Sequence, residues 1–170
     1  MPALEWTDAL TLGLPTMDET HHEFVDLLSQ VAKAPDDTLM QTWRELVAHT
    51  EEHFAREDRW MLATGFASNN CHSSEHQVIL KILQEIDKRG SAGRLADVRQ
   101  VADELGDWFP QHAQAMDAAL ALHMRHVGYD PVTGQIALPQ ALPAKTIQGC
   151  GGTEDCATDG EPVQPKAVPA

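Results

Sequence analysis

His53 and Glu57 stand four residues apart in HTEEHFAREDRWM, residues 49–61, a stretch whose apolar positions recur at helical spacing. Four residues is about 400° of α-helical rotation, so both side chains leave one face, about 6 Å apart along the axis. An imidazole and a carboxylate on an otherwise apolar stripe make a poor core and a good half of a metal site. Such a stripe must be covered by other elements, and those elements must supply the remaining donors.

Four segments have the required period. A helix is expected over about 18–34, with Asp18 as N-cap, Pro35 as stop and the stripe His21, Phe24, Leu28, Val31. A second is expected over 38–64, with Thr38 and Gln41 spaced as a capping box and Gly65 as terminator. Its stripe is Leu46, His49 or Thr50, His53, Glu57, Trp60 and Met61. A third, over 70–88, carries His72, His76, Ile79, Leu83 and Ile86. A fourth, over 94–126, carries Val98, Val101, Leu105, Trp108, His112, Ala115, Met116 and Leu120. With no strand-like alternation between them, the expected fold is all-α, an antiparallel up-down-up-down four-helix bundle. Residues 1–17, with Trp6 and Leu10, Leu12 and Leu14, read as an irregular arm lying on the bundle. Residues 1–129 are expected to form one domain. Residues 130–170, rich in Pro, Gly, Thr and Asp, read as a flexible, mostly disordered acidic extension.

Composition narrows the partners. The chain carries 26 Asp+Glu against 12 Lys+Arg, a net charge of −14. Phosphate backbones and anionic membrane surfaces need clustered cations, so neither nucleic acid nor a membrane is expected as partner. No run reaches the ~18 apolar residues of a span. The first residues lack a basic segment and carry Glu5 and Asp8, so no secretory signal is expected and cytoplasmic residence is the default. Three cysteines, an odd number, do not suggest a disulfide framework.

The polar residues on the buried stripes are His21, His53, Glu57, His72, His76 and His112, joined by Asp117 five residues after His112. An offset of five is about 140° beyond a full turn and 7.5 Å of rise, so His112 and Asp117 share the bundle axis only if they converge from adjacent turns. Burying five imidazoles and two carboxylates without a partner costs several kcal/mol each or forces them neutral. A pair of borderline divalent ions such as iron, manganese, zinc or cobalt removes that cost. If both carboxylates bridge, one ion takes three imidazoles and the other takes two and keeps an open position for a small molecule.

The order of these residues, in MDETH (His21), HFARE (His53, Glu57), HSSEH (His72, His76) and HAQAMD (His112, Asp117), resembles the hemerythrin family, its bacterial members in particular. Trp6, Leu12-Gly13, Trp60-Met61 and Trp108 support the resemblance, which covers residues 4 to about 129. It implies a non-haem di-iron centre with a bridging oxo or hydroxo group that binds O2 reversibly. It implies that His72, His76 and His112 hold the saturated iron, that His21 and His53 hold the open one, and that Glu57 and Asp117 bridge. The choice of iron rests on the resemblance, since ligand type alone does not select it.

Outside the seven, His49 and Trp108 are candidates for positions behind the ligands. Pro110 removes a backbone bond to Gly106 and is expected to kink the last helix one turn from a ligand. His22 is expected to be solvated, and His123 and His126 to offset a helix dipole. Cys71 is expected to face away from His72 as a free buried cysteine, and Cys150 and Cys156 to be exposed thiols of the extension. The functional expectation is a monomeric O2 carrier for storage, scavenging or delivery to an O2-consuming enzyme, with no catalytic residue assigned. The alternatives are an O2, redox or iron sensor, and a di-iron enzyme handling peroxide or nitric oxide, for which His49 is the one candidate acid.

Overall fold

The computed structural model of the protein describes residues 4–149. The described elements are a 3-10 turn Asp8–Leu10, α1 Pro15–Lys33, α2 Leu39–Thr64, α3 Cys71–Ser91, α4 Leu95–His112, a π-helical turn Ala113–Asp117, α5 Ala118–Val127, and a 3-10 turn Pro139–Ala141. The backbone stays right-handed helical from His112 through Ala118, so α4, the π turn and α5 form one continuous rod. Each rod packs on its neighbour in sequence and α1 closes the ring against α4. The result is the expected four-helix bundle.

Helix starts depart from expectation in instructive ways. α1 begins at Pro15, whose fixed φ is pre-organised for the first helical position. Asp18 is therefore already inside the helix. Its carboxylate accepts from the amides of Leu12 (2.7 Å) and Gly13 (3.1 Å), which folds the arm back onto the bundle. The capping box at Thr38 and Gln41 does not form. A preceding turn supplies the carbonyl of Pro35 to the amides of Thr38 and Leu39 instead, and the Gln41 side chain donates to Glu45. Other signals act as read. Gly65, at φ 100°, ends α2 with Phe66 N–H on the Met61 carbonyl. The Asn70 side chain caps α3 by accepting from Ser73 N–H at 3.0 Å.

Two apolar layers result. One gathers Phe24, Leu28, Trp43, Leu46, Phe54, Leu83, Val98, Leu105 and Phe109, with Leu4 and Trp6 of the arm packed against it. The other gathers Leu14, Met17, Trp60, Met61, Phe66, Leu120 and Met124. Each large side chain so buried contributes about 1.5–3 kcal/mol. The polar cluster lies between the two layers along the helix axes. The His49-or-Thr50 ambiguity resolves to Thr50, which is buried with its hydroxyl on the Leu46 carbonyl, while His49 is half-buried.

The extension is irregular, as its composition indicates, but its described part is laid on the bundle end. Ala67 N–H donates to the Ile147 carbonyl and Ile147 N–H to the Gly65 carbonyl. Pro143 covers Gly65 so closely that a Cβ there would lie 2.6 Å from its Cγ. Composition cannot reveal this ordering, because the backbone partners come from the α2–α3 connection. Cys71 also corrects an expectation: it is disulfide-bonded, with its partner outside the described residues. Residues 150–170, including Cys150 and Cys156, lie outside them as well.

Candidate metal centre

All seven side chains predicted from the sequence meet at one level of the bundle, and none is more than 3% exposed. α1 places His21, α2 places His53 and Glu57, α3 places His72 and His76, and the fourth rod places His112 and Asp117. The i, i+4 pairs on α2 and α3 follow directly from helical rotation.

The i, i+5 pair does not, and the backbone supplies the answer. Residues Ala113–Asp117 form a π turn in which Ala118 N–H bonds to the Ala113 carbonyl, five residues back. One extra residue in the turn brings His112 and Asp117 onto one face. The expected α-helical register had placed Ala115 and Met116 inward. Ala115 is exposed, Met116 is half-buried, and Ala113 and Asp117 take the core positions. Phe109, not Trp108, is likewise the fully buried aromatic before His112.

The donor atoms fall into two overlapping groups. Glu57, His72, His76, His112 and Asp117 each present one atom within 4.8 Å of the others, and so do His21, His53 and Glu57. His72 Nε2 lies 3.0 Å from Asp117 Oδ1, His112 Nε2 3.2 Å from the same oxygen, and His76 Nε2 3.3 Å from Glu57 Oε2. On the other side His21 Nε2 lies 3.2 Å from Asp117 Oδ2 and His53 Nε2 3.1 Å from Glu57 Oε1. Despite these separations, Nε2 of His21, His72, His76 and His112, Oε2 of Glu57 and both Asp117 oxygens make no aligned hydrogen bond. Buried polar atoms are rarely left so. Lone pairs that converge without bonding to one another fit divalent cations at their foci.

Electrostatics agree. Burial raises the carboxyls of Glu57 and Asp117, but the surrounding imidazoles outweigh it and hold both well below the usual range. Burial equally disfavours imidazolium, yet the close carboxylates of Asp117 and Glu57 push His21 up to about 9 and His72 up to about 10. The cluster thus attracts positive charge, supplied by protons in the metal-free chain and displaced by bound metal.

Behind the ligands the structure adds two residues that the sequence reading did not single out. His76 Nδ1 faces Asp58 Oδ1 at 3.1 Å, and His112 Nδ1 faces Glu75 Oε1 at 3.3 Å. Trp108 Nε1–H donates to that same Glu75 oxygen at 2.6 Å, and its ring stacks on His112. The available signal was adjacency, since each acid sits beside a ligand in sequence. His49, by contrast, is half-buried between α2 and α1 and backs no ligand nitrogen. Its Nε2 pairs with the Thr20 carbonyl at 3.1 Å, its ring centroid lies 6.1 Å from that of His53, and burial and His53 lower its pKa. Pro110 is accommodated within α4, and the position a Gly106 Cβ would take lies 3.7 Å from Leu4 of the arm and 3.8 Å from Leu28.

Residues 12–121 match the Hemerythrin HHE cation binding domain. A bacteriohemerythrin of Ralstonia nicotianae is 36% identical over 130 residues, covering 76% of this chain and 95% of that protein. Bacteriohemerythrins of Stenotrophomonas maltophilia (29% over 131 residues, 71% of this chain and 81% of theirs) and Pseudomonas aeruginosa PAO1 (27% over 134 residues, 74% and 84%) are also similar. No solved structure matches at comparable stringency. A domain match that spans most of the bundle, with a relative this similar over nearly its whole length, makes the chain a member of the hemerythrin family.

Proposed function

We propose that the chain is a non-haem di-iron protein that binds O2 reversibly, serving storage, scavenging or delivery to an O2-consuming enzyme. The observation that carries this reading is the pair of overlapping donor groups sharing Glu57, with three imidazoles on one side and two on the other. In this reading His72, His76 and His112 would hold one iron, His21 and His53 would hold the other, and Glu57 and Asp117 would serve both. An iron pair held there would supply the two electrons that reversible O2 binding requires.

The chain's own residues then have three tasks. Glu57 and Asp117, held anionic by their neighbours, balance the metal charge. The imidazoles present Nε2 to the centre. Phe109 packs edge-on against His21 at 5.2 Å, Phe24 packs against Phe109 at 4.6 Å, and Phe54 packs against His53 at 5.3 Å. Phe24 and Phe109 line the two-histidine side, where an iron held by two imidazoles would keep a position open, and a dry pocket there would favour release of O2 over hydrolysis. An enzyme acting on peroxide or nitric oxide needs an acid at that position. His49 Nε2 is taken up by the Thr20 carbonyl rather than by a donor of the centre, so its placement lends that reading no specific support.

The test is anaerobic loading with Fe(II), metal counting, and visible spectra before O2, with O2 and after its withdrawal. Two irons per chain and an absorption band that appears with O2 and fades without it support the carrier. Two irons that oxidise irreversibly with no such band overturn reversible binding. One zinc, or no metal, overturns the di-iron assignment.

A further inference from the structure

We propose that Asp58 and Glu75 are positioning residues that make the His72/His76/His112 position the tighter, first-filled metal position and leave the His21/His53 position the exchangeable one. This rests on the di-iron reading above.

The argument is the contrast at Nδ1. An imidazole that donates Nδ1–H to an oxygen keeps its lone pair at Nε2 and cannot rotate, and a carboxylate acceptor makes that lone pair more basic. His76 and His112 are held this way by Asp58 and Glu75 at 3.1 and 3.3 Å. Each ring is also gripped on its face, His76 by Phe54 (3.9 Å, 5° between planes) and His112 by Trp108 (4.5 Å, 30°). Asp58 reaches from α2 to α3, while Glu75 reaches from α3 to α4. The two carboxylates therefore pin three rods at the level of one metal position.

Among the described residues, nothing equivalent backs the other side. Nδ1 of His21 and Nδ1 of His53 are both buried and without a hydrogen-bond partner. Behind Nδ1 these rings meet only packing, against Phe109, Phe54 and each other, and the one hydrogen bond either makes is on the centre side, from His53 Nε2 to Glu57 Oε1 at 3.1 Å. Fewer imidazoles, with no acceptor behind them, give a weaker position. The same feature suits it to keep a coordination place for an exogenous ligand.

The test is titration of the metal-free full chain with Co(II), followed by calorimetry and by the visible spectrum of the bound ion. The wild type is expected to take two ions in two resolved steps. Glu75→Ala and Asp58→Ala are expected to weaken the first step by about 10–100-fold, shift its Co(II) spectrum, and leave the second step in place. Glu75→Gln and Asp58→Asn keep an acceptor oxygen and the side-chain shape, so they are expected to recover part of the loss and to restore the spectrum. Thermal unfolding of the metal-free variants checks that they fold. Unchanged titrations, equal weakening of both steps, or Gln and Asn variants no better than Ala would overturn the inference alone. A wild type that takes fewer than two ions would overturn the di-iron reading and this inference with it.

Discussion

The two halves of the centre share a carboxylate and the same layer of the bundle, yet they are built differently. On the α2–α3–α4 side, two of three imidazoles are held at Nδ1, with Asp58 and Glu75 behind them. On the α1–α2 side, both imidazoles end in apolar surroundings with Nδ1 unpaired. Burial alone therefore does not define a ligand's quality. What the partner of the second nitrogen does to the ring decides how firmly and how basically the first nitrogen is presented.

The sharpest way to break the comparison is to remove what the halves share. Glu57 belongs to both donor groups. Glu57→Ala is expected to reduce retained metal from two ions per chain to none after desalting, read by metal analysis. Single-ligand deletions should then separate the halves. His53→Ala is expected to keep one ion with its first-step affinity intact. His112→Ala is expected to weaken that first step by more than the ~100-fold upper range for losing a partner hydrogen-bonded to a ligand. Equal losses in the two variants would show the halves to be equivalent.

The metal-free chain offers a pH test. His21 and His72 have pKa values raised from 6.5 to about 9 and about 10, so their contribution to stability is full below 6.5 and is lost as pH rises through those values. Glu57 and Asp117 are depressed, so theirs is present above the ordinary carboxylate range and lost as pH falls below it. Thermal unfolding in chelator is expected to show greatest stability between those limits, about pH 5–6.5, with a decline toward pH 10. In the metal-loaded chain bound ions replace the protons, and the alkaline decline should disappear. The smallest effect is expected from Trp108→Phe, which keeps the stack on His112 and removes the N–H bond to Glu75. A hydrogen bond to a charged group is worth about 1.5–3 kcal/mol, of which only a part acts through His112 on the metal, so the first metal step should weaken by about tenfold or less.

Most of the bundle is legible without coordinates. A stripe such as His72, His76, Ile79, Leu83, Ile86 can be buried in only one rotation, and all five of its members are buried. The donor pairs at spacing four share a face for the same reason. Helix starts were less legible, because Asp18 and Thr38 have side chains that suit a cap but backbones already used otherwise, by Pro15 in one case and by the Pro35 carbonyl in the other. Asp58 and Glu75 were not legible as partners. Each is an ordinary surface acid by composition and gains its role only from a histidine on another helix.

By itself the sequence determined the four rods, their inward faces and the donor types, since periodicity and side-chain chemistry are local properties of the chain. The tertiary structure alone decided three things. It opened a π turn so that residues five apart could share a face, because Asp117 is drawn into the polar centre against the register of a regular α-helix. It laid residues around Ile147 on the α2–α3 connection, because backbone pairing needs a partner distant in sequence. And it set carboxylates behind only one half of the centre, because which imidazole nitrogen finds an acceptor depends on how neighbouring helices are rotated against each other.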